Sequence, residues 1–193
     1  RLCAQGDQVV LSYRSYDLAG VDTSFWGTVS GDSGATWSAK TQLRPESAAS
    51  TVDYTNVVCD GAGGAIATWT DMRNPAAGEI YVNRYDGGTW LGDVPLSTSS
   101  LHNQKSFNQI FAGEGKVLVA YGNDDGTWMQ RSLDGGVTFQ PAVPFDEANP
   151  LPGQAHPAFL ATDGIGNVWA TYCDRSAGAY SVVARHSPDR GAS

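Results

Sequence analysis

The sequence predicts an all-β fold in which one four-stranded antiparallel unit is repeated along the chain. Short runs rich in β-branched and aromatic residues recur, and a glycine-containing turn precedes each of them. No window shows a sustained apolar period near 3.6 residues, so no helix is expected. The four runs are residues 9–14, 65–71, 116–121 and 168–174. Each is interpreted as the second strand of a unit.

A second motif, S-x-D-x-G-x-T-aromatic, follows the same period. It is complete at residues 30–37 and 132–139, shortened by one residue at 85–90, and begins again at 187–193. Its aspartates recur about every 50 residues, a spacing typical of propellers and solenoids. Four-stranded units repeated at this period are propeller blades. We therefore predict a single β-propeller segment over residues 1–193, with blades at approximately 1–50, 51–100, 101–148 and 149–193.

The repeated motif resembles the Asp box, or BNR repeat, of sialidase-like β-propellers. The resemblance covers essentially the whole chain and implies blades in which the Asp-box hairpin joins the third and fourth strands. It is specific for architecture rather than for activity, because Asp boxes occur in sialidases, in other glycoside hydrolases and in non-enzymatic propellers.

The Asp-box residues are assigned a structural role in their turns rather than a catalytic one. Short Ser and Asp side chains accept hydrogen bonds from backbone N–H groups, glycine supplies positive φ, and the aromatic residue is expected to bury against the blade. One carboxylate per box does not suit calcium, which takes about six to eight oxygen ligands, so neither a metal nor another cofactor is expected. The residues with this structural role are Ser30, Asp32, Gly34, Trp37, Asp86, Trp90, Ser132, Asp134, Gly136, Phe139 and Asp189.

The amino-acid composition limits the classes of molecule that the protein is expected to bind. A net charge of −8 and a pI of about 4.6 argue against a nucleic-acid partner, and no apolar run is long enough to span a membrane. Carbohydrate or another protein is the expected partner. The resemblance implies a secreted protein, extracellular or periplasmic.

The three cysteines are Cys3, Cys59 and Cys173. The first two hold the same place in units one and two. A disulfide between them and buried free thiols are both consistent with the sequence, because first strands of adjacent blades can be too far apart to be bridged.

The ends of the chain predict an incomplete propeller, or one completed by other chain segments. Residue 1 falls within the first strand of unit one, and residue 193 falls within the Asp box of unit four. The resemblance implies six blades, of which about four are here. Three arrangements follow, in order of preference: part of a longer propeller, self-association of two copies to complete the propeller, or a four-bladed ring with imperfect closure.

A ligand is expected on the face opposite the Asp boxes. Loops between second and third strands and loops between units meet there, and their carboxylates, arginines, amides and aromatics suit a sugar or an anionic small molecule. The ligand-binding candidates are Arg14, Asp71, Arg73, His102, Asp174 and Arg175, and the loops between units add Arg44, Glu46, Asp53 and Tyr54. Alternatively, Asp71–Arg73 and Asp174–Arg175 are local ion pairs that fix their loops.

The resemblance to sialidases implies three arginines that clamp a carboxylate, a tyrosine nucleophile backed by a glutamate, and an aspartate as acid/base. It also implies an Arg-Ile-Pro signature near the first strand, where this chain has Arg-Leu-Cys-Ala at residues 1–4. Arg14, Arg73 and Arg175 occupy equivalent repeat positions, so repetition alone explains them, and no catalytic residue is assigned.

Two functions follow, and they leave open whether the protein is an enzyme. The favoured one is a secreted sialidase-like propeller that binds glycan or a partner protein without a catalytic set. The alternative is part of a glycoside hydrolase of exo-sialidase type whose catalytic residues lie partly outside this segment. A structural propeller that serves protein contacts is also compatible with the sequence.

Overall fold

The structure, a computed structural model, describes residues 1–16, 23–45, 51–73, 78–96, 106–123, 126–144, 159–163, 166–174, 181–189 and 191. These residues form fifteen strands in four antiparallel sheets and, over the same ranges, no helix. The predicted all-β class is confirmed.

Each sheet is a meander in which strands that follow one another in sequence are hydrogen-bonded neighbours. Sheet 1 contains β1 (Leu2–Gln5), β2 (Gln8–Tyr16), β3 (Thr23–Ser30) and β4 (Thr41–Gln42). Sheet 2 contains β5 (Val52–Cys59), β6 (Ala65–Asp71), β7 (Glu79–Tyr85) and β8 (Trp90–Pro95). Sheet 3 contains β9 (Ser106–Gly113), β10 (Lys116–Asn123), β11 (Gly126–Ser132) and β12 (Val143–Pro144). Sheet 4 contains β13 (Phe159–Thr162), β14 (Val168–Asp174) and β15 (Ser181–Ser187).

Adjacent sheets pack face to face and contact one another through their first strands. Strand β1 contacts β5, β5 contacts β9, and β9 contacts β13. Between sheets 1 and 2 the core contains Val10, Phe25 and Trp69, and the rings of Phe25 and Trp69 lie 5.2 Å apart. Burial of each such side chain stabilises the fold by roughly 1.5–3 kcal/mol. The core is thus divided into layers between successive sheets.

One position in the second strand of each sheet shows how regular these layers are. Val10, Ile66 and Leu118 point toward the next sheet, and all three are buried. In sheet 4 the equivalent position belongs to Trp169, which comes one residue after the β14 residue that pairs with Ser187. Trp169 is 41% exposed, so within the described residues this face of sheet 4 presents apolar side chains to solvent.

A disulfide joins sheets 1 and 2. Cys3 of β1 and Cys59 of β5 are bonded, and their Cα atoms lie 5.7 Å apart. The first strands of adjacent sheets are therefore close enough to be bridged, which decides between the two cysteine states that the sequence allowed. The side chain of Cys173 lies outside the described part of the chain.

The third strand of each sheet ends in a turn organised by an aspartate; we call residues 30–37, 85–90, 132–139 and 187–191 the aspartate turns. In the first, Asp32 Oδ1 accepts hydrogen bonds from the Ser30 hydroxyl at 2.7 Å and the Thr36 backbone N–H at 2.8 Å. The Ser30 hydroxyl oxygen accepts the Gly34 N–H at 2.8 Å, and Gly34 has φ of 90°. The carboxylate therefore satisfies backbone donors that the hairpin would otherwise leave unpaired.

Within the described residues, the serine–aspartate hydrogen bond returns in the aspartate turns of sheets 3 and 4. Asp134 accepts the Ser132 hydroxyl at 2.6 Å and the Thr138 N–H at 2.9 Å. Asp189 accepts the Ser187 hydroxyl at 2.7 Å. A shared motif thus produces a shared geometry, because all of these hydrogen-bond partners are local in sequence.

The prediction that the motif's aromatic residue buries against the sheets is wrong for Trp37. Trp37 is 42% exposed, and its indole N–H donates to the carbonyl oxygen of Gly34 at 3.1 Å. The ring folds back over its own turn instead of entering a core layer. Trp90 and Phe139 are half-buried and pack against the core layers, as expected.

The hydrogen bonds of the first aspartate turn predict a measurable acidity. The Thr36 hydroxyl, the Thr36 backbone N–H and the Ser30 hydroxyl lower the pKa of Asp32 from 3.8 to about 2. We expect a carboxyl ¹³C NMR titration of Asp32 to show a midpoint near 2. Because the folded-state pKa is depressed, the stabilising contribution is complete above the unfolded value and is lost as the pH falls through the folded value.

Thr36→Val removes the first of these donors and is expected to move the Asp32 midpoint upward, while the titration of Asp134 stays unchanged. An Asp32 midpoint at the ordinary value in the unmodified protein would contradict the turn geometry.

Candidate functional site

The sheets have two chemically different ends. At one end the turns between first and second strands lie against the aspartate turns: Ser33 N–H donates to Asp7 O at 2.8 Å, and Gly135 N–H donates to Gly115 O at 2.7 Å. We call this the turn end. At the opposite end, the loop end, second strands finish where first strands begin, and Met72 N–H donates to Thr51 O at 3.0 Å.

The predicted ligand residues fall at the loop end wherever the structure describes them. Three have described side chains: Arg14, Asp71 and Arg73. The side chains of the other three lie outside the described residues: His102, Asp174 and Arg175. The backbone of Asp174 ends β14 and pairs with Ser181.

Asp71, the last residue of β6, is 0% exposed and lies at the centre of a hydrogen-bonded cluster. Its Oδ2 atom accepts Arg44 Nε at 2.9 Å, Trp69 Nε1 at 3.0 Å and Arg73 Nη2 at 2.6 Å. Its Oδ1 atom accepts the backbone N–H of Arg73 at 2.8 Å. Arg44 follows β4, so this carboxylate connects sheet 1 to sheet 2.

Burial raises the pKa of Asp71, but hydrogen bonds from Arg73 and Trp69 and the charge of Arg44 outweigh it and hold the pKa below its usual value. A carboxyl that acts as a general acid near neutral pH needs a raised pKa. Asp71 is therefore ionised at neutral pH, and its carboxylate holds Arg44 and Arg73 in place.

The expectation that Arg44 reaches a ligand is wrong. Arg44 is 2% exposed, because its guanidinium lies beneath the loop end against Asp71. Glu46, which was grouped with it, lies outside the described residues.

Arg73 is held by two carboxylates. Its Nη2 atom lies 2.6 Å from Asp71 Oδ2 and 2.6 Å from Asp93 Oδ2 of β8. The guanidinium carbon lies 4.0 Å from the centre of the Tyr81 ring, a cation–π contact. Two negative charges beside one positive charge leave Arg73 poorly suited to attract a ligand carboxylate. The local ion pair predicted between Asp71 and Arg73 is present.

Tyr81 and Glu79 on β7 form a tyrosine–glutamate pair that the sequence reasoning did not single out. The Tyr81 hydroxyl donates to Glu79 Oε2 at 3.1 Å. Burial raises the pKa of Tyr81 to about 12, so the phenol is protonated at neutral pH, and its ring stacks on Trp69 at 5.9 Å. No signal in the alternating pattern of β7 distinguishes these residues from ordinary core and edge positions.

A second cluster at the loop end is partly exposed; we call Arg14, Tyr16, Asp53 and Tyr54 the Arg14 patch. Arg14 Nη1 donates to Val52 O at 2.7 Å and to Asp53 Oδ1 at 2.6 Å. The Arg14 guanidinium carbon lies 5.5 Å from the centre of the Tyr16 ring. The side chain of Asp53 is 49% exposed, and Tyr16 is 57% exposed. Donor, acceptor and aromatic surface therefore meet where β2 ends and β5 begins.

Two kinds of feature are absent from the described part of the chain. Its His, Cys, Asp and Glu side chains contain no group of three or more that could hold a metal ion. No helix there is long and apolar enough to cross a membrane.

Comparison with known proteins shows the fold. A sialidase from Trypanosoma rangeli, solved with the inhibitor DANA, matches all of the chain at a TM-score of 0.60 and 14% identity. A Hadza microbial sialidase matches 98% of it at 0.57 and 15% identity. A Penicillium chrysogenum α-L-arabinanase, solved with arabinobiose, matches 94% of it at 0.54 and 15% identity. The chain has the propeller-like fold of these glycoside hydrolases.

The chain spans 36%, 44% and 60% of the lengths of these three proteins, respectively. No protein-family model and no curated protein matches the sequence. At these identities the likeness shows the fold alone, and the propeller-like architecture predicted from the repeats is confirmed at that level.

Proposed function

We propose that the chain is part of a carbohydrate-active propeller and that its loop end binds saccharide. The observation that carries this proposal is the Arg14 patch, where a half-exposed arginine–aspartate pair lies beside an exposed tyrosine. Sugars are recognised by this combination, because their hydroxyl groups need both donors and acceptors and their ring faces need apolar surface. The propeller neighbours solved with arabinobiose and with DANA support the same assignment.

Binding without turnover fits the described residues better than catalysis does. Asp71 is held ionised, and Arg73 is matched by two carboxylates. Neither residue has the protonation state of a general acid or the free charge of a carboxylate clamp.

The second candidate is part of a glycoside hydrolase of exo-sialidase type. It is favoured by the two sialidase neighbours, of which the chain spans only 44% and 36%, so that catalytic residues would come from elsewhere in the protein.

We further propose that the aspartate turns are Asp boxes with a purely structural role, which their internal hydrogen bonds support. An extracellular or periplasmic location is supported by the Cys3–Cys59 disulfide, because such bonds persist in oxidising compartments. The exposed apolar face of sheet 4 is compatible with self-association or with a protein partner.

The proposal predicts that the purified chain binds saccharides on a glycan array and in titration calorimetry. Asp86→Asn alters an exposed carboxylate at the turn end and is expected to leave the affinity unchanged, which controls for nonspecific charge effects. Absence of binding to every glycan tested would contradict the proposal.

Hydrolysis separates the two candidates. We expect fluorogenic sialosides and arabinosides to be cleaved at the background rate while binding is retained. Cleavage above background by the chain would favour the glycoside hydrolase.

A further inference from the structure

We propose that the Arg14 patch is a subsite for a neutral saccharide, which it holds through two adjacent hydroxyl groups. This inference rests on the proposed carbohydrate-binding function and adds the class of ligand and the residues that select it.

The Arg14–Asp53 pair supplies a donor and an acceptor side by side. Arg14 Nη1 lies 2.6 Å from Asp53 Oδ1, so guanidinium N–H groups and a carboxylate oxygen are presented together. A guanidinium carries five N–H donors, and an ionised carboxylate offers about four acceptor sites, of which the Arg14 contact uses one. Two neighbouring sugar hydroxyls match this pair, because one accepts from Arg14 while the other donates to Asp53.

Charge makes the patch selective for a neutral ligand. The positive charge of Arg14 is compensated by Asp53, and Arg73, which also lies at the loop end, is compensated by Asp71 and Asp93. An anionic sugar would bring its carboxylate against Asp53, where like charges repel. A neutral sugar meets no such penalty, and the net charge of −8 on the chain acts in the same direction.

Aromatic surface lies next to the polar pair. Tyr16 is 57% exposed beneath Arg14, and Tyr54 follows Asp53 directly and is 40% exposed. Tyr54 has φ of 48° at an irregularity in the β5–β6 pairing, a conformation uncommon for a bulky residue and typical of ligand-binding positions. The Tyr16 ring offers apolar surface on which the C–H face of a sugar packs.

The polar pair is placed by strands rather than by a long loop. Arg14 belongs to β2 and donates to Val52 O at 2.7 Å, which fixes its guanidinium against the start of β5. A group held in this way loses little conformational freedom on binding, so its hydrogen bonds contribute more to affinity.

The test compares neutral saccharides with a charged counterpart. Titration calorimetry of the full chain would use arabinobiose, cellobiose and lactose as neutral ligands and 3′-sialyllactose as the charged partner of lactose. We expect at least one neutral saccharide to bind, and lactose to bind at least about tenfold more tightly than its sialylated form, a factor that corresponds to about 1.4 kcal/mol.

Single substitutions test whether the saccharide binds at the Arg14 patch. Asp53→Asn and Tyr16→Ala are each expected to weaken binding of the neutral saccharide about tenfold, whereas Asp86→Asn at the turn end makes the same carboxylate-to-amide change without effect. Thermal unfolding by circular dichroism verifies that each variant is folded, which is expected because exposed ion pairs contribute little to stability.

The outcomes separate the subsite from the general function. Saccharide binding that is unchanged in both Asp53→Asn and Tyr16→Ala would overturn the subsite and leave carbohydrate binding by the loop end intact. Tighter binding of 3′-sialyllactose than of lactose would overturn the preference for a neutral ligand. Absence of any saccharide binding would overturn both proposals.

Discussion

Asp71→Ala is expected to lower the free energy of unfolding by about 3–5 kcal/mol, because it leaves the buried Arg44 without its carboxylate. Arg44 is 2% exposed and cannot turn to solvent without opening the contact between sheets 1 and 2. The Trp69 indole and the Arg73 guanidinium lose the same acceptor. Urea unfolding, followed by tryptophan fluorescence, measures the change.

Asp53→Asn is the matched control, because it removes the carboxylate of the half-exposed pair with Arg14 at the same end of the sheets. Exposed pairs contribute about 0–1 kcal/mol, so its effect on unfolding should be small. Equal effects of the two variants would show that burial does not distinguish these ion pairs. The depressed pKa of Asp71 also fixes the direction of the pH dependence: the stabilising contribution of Asp71 is present at neutral pH and is lost in acid.

Removing the Cys3–Cys59 disulfide with the double change Cys3→Ser and Cys59→Ser is expected to cost about 4 kcal/mol. The bond joins residues 56 positions apart, and the chain-entropy relation for a loop of that length gives this magnitude. For a chain of 193 residues such a loss lowers the melting temperature by about 10 °C. Differential scanning calorimetry provides the measurement.

A reducing agent supplies the control for this prediction. Dithiothreitol should lower the melting temperature of the unmodified chain toward that of the double variant and leave the double variant unchanged. An unmodified chain that is insensitive to the reductant, and that melts together with the double variant, would show that the bridge between β1 and β5 contributes nothing to stability.

The strands were predictable because their signals are local. The sequence predicted second strands over 9–14, 65–71, 116–121 and 168–174, and the structure has Gln8–Tyr16, Ala65–Asp71, Lys116–Asn123 and Val168–Asp174. Glycine turns and β-branched runs mark such boundaries within a few residues of the chain. Strand β5 begins at Val52 because Val52 pairs with Asp71, a long-range contact that the local pattern does not contain.

The candidate site was predictable only in part. Loop position placed Arg14, Asp71 and Arg73 together at the loop end, because strand order alone decides which end a loop occupies. Exposure was not predictable: Arg44 and Asp53 both come from the loop between units one and two, yet one is buried and the other is half exposed. Asp93 was missed, because only folding brings β8 beside Arg73.

The sequence by itself determined the repeated four-stranded unit, the turn geometry and the end of the sheets at which the candidate residues lie. These properties depend on interactions within a few residues, such as those of Asp32 with Ser30 and Thr36. Only the tertiary structure decided the disulfide, the burial of Arg44 and the pairing of Arg14 with Asp53. Those contacts join residues 56, 27 and 39 positions apart, so they exist only once sheet 1 has packed on sheet 2.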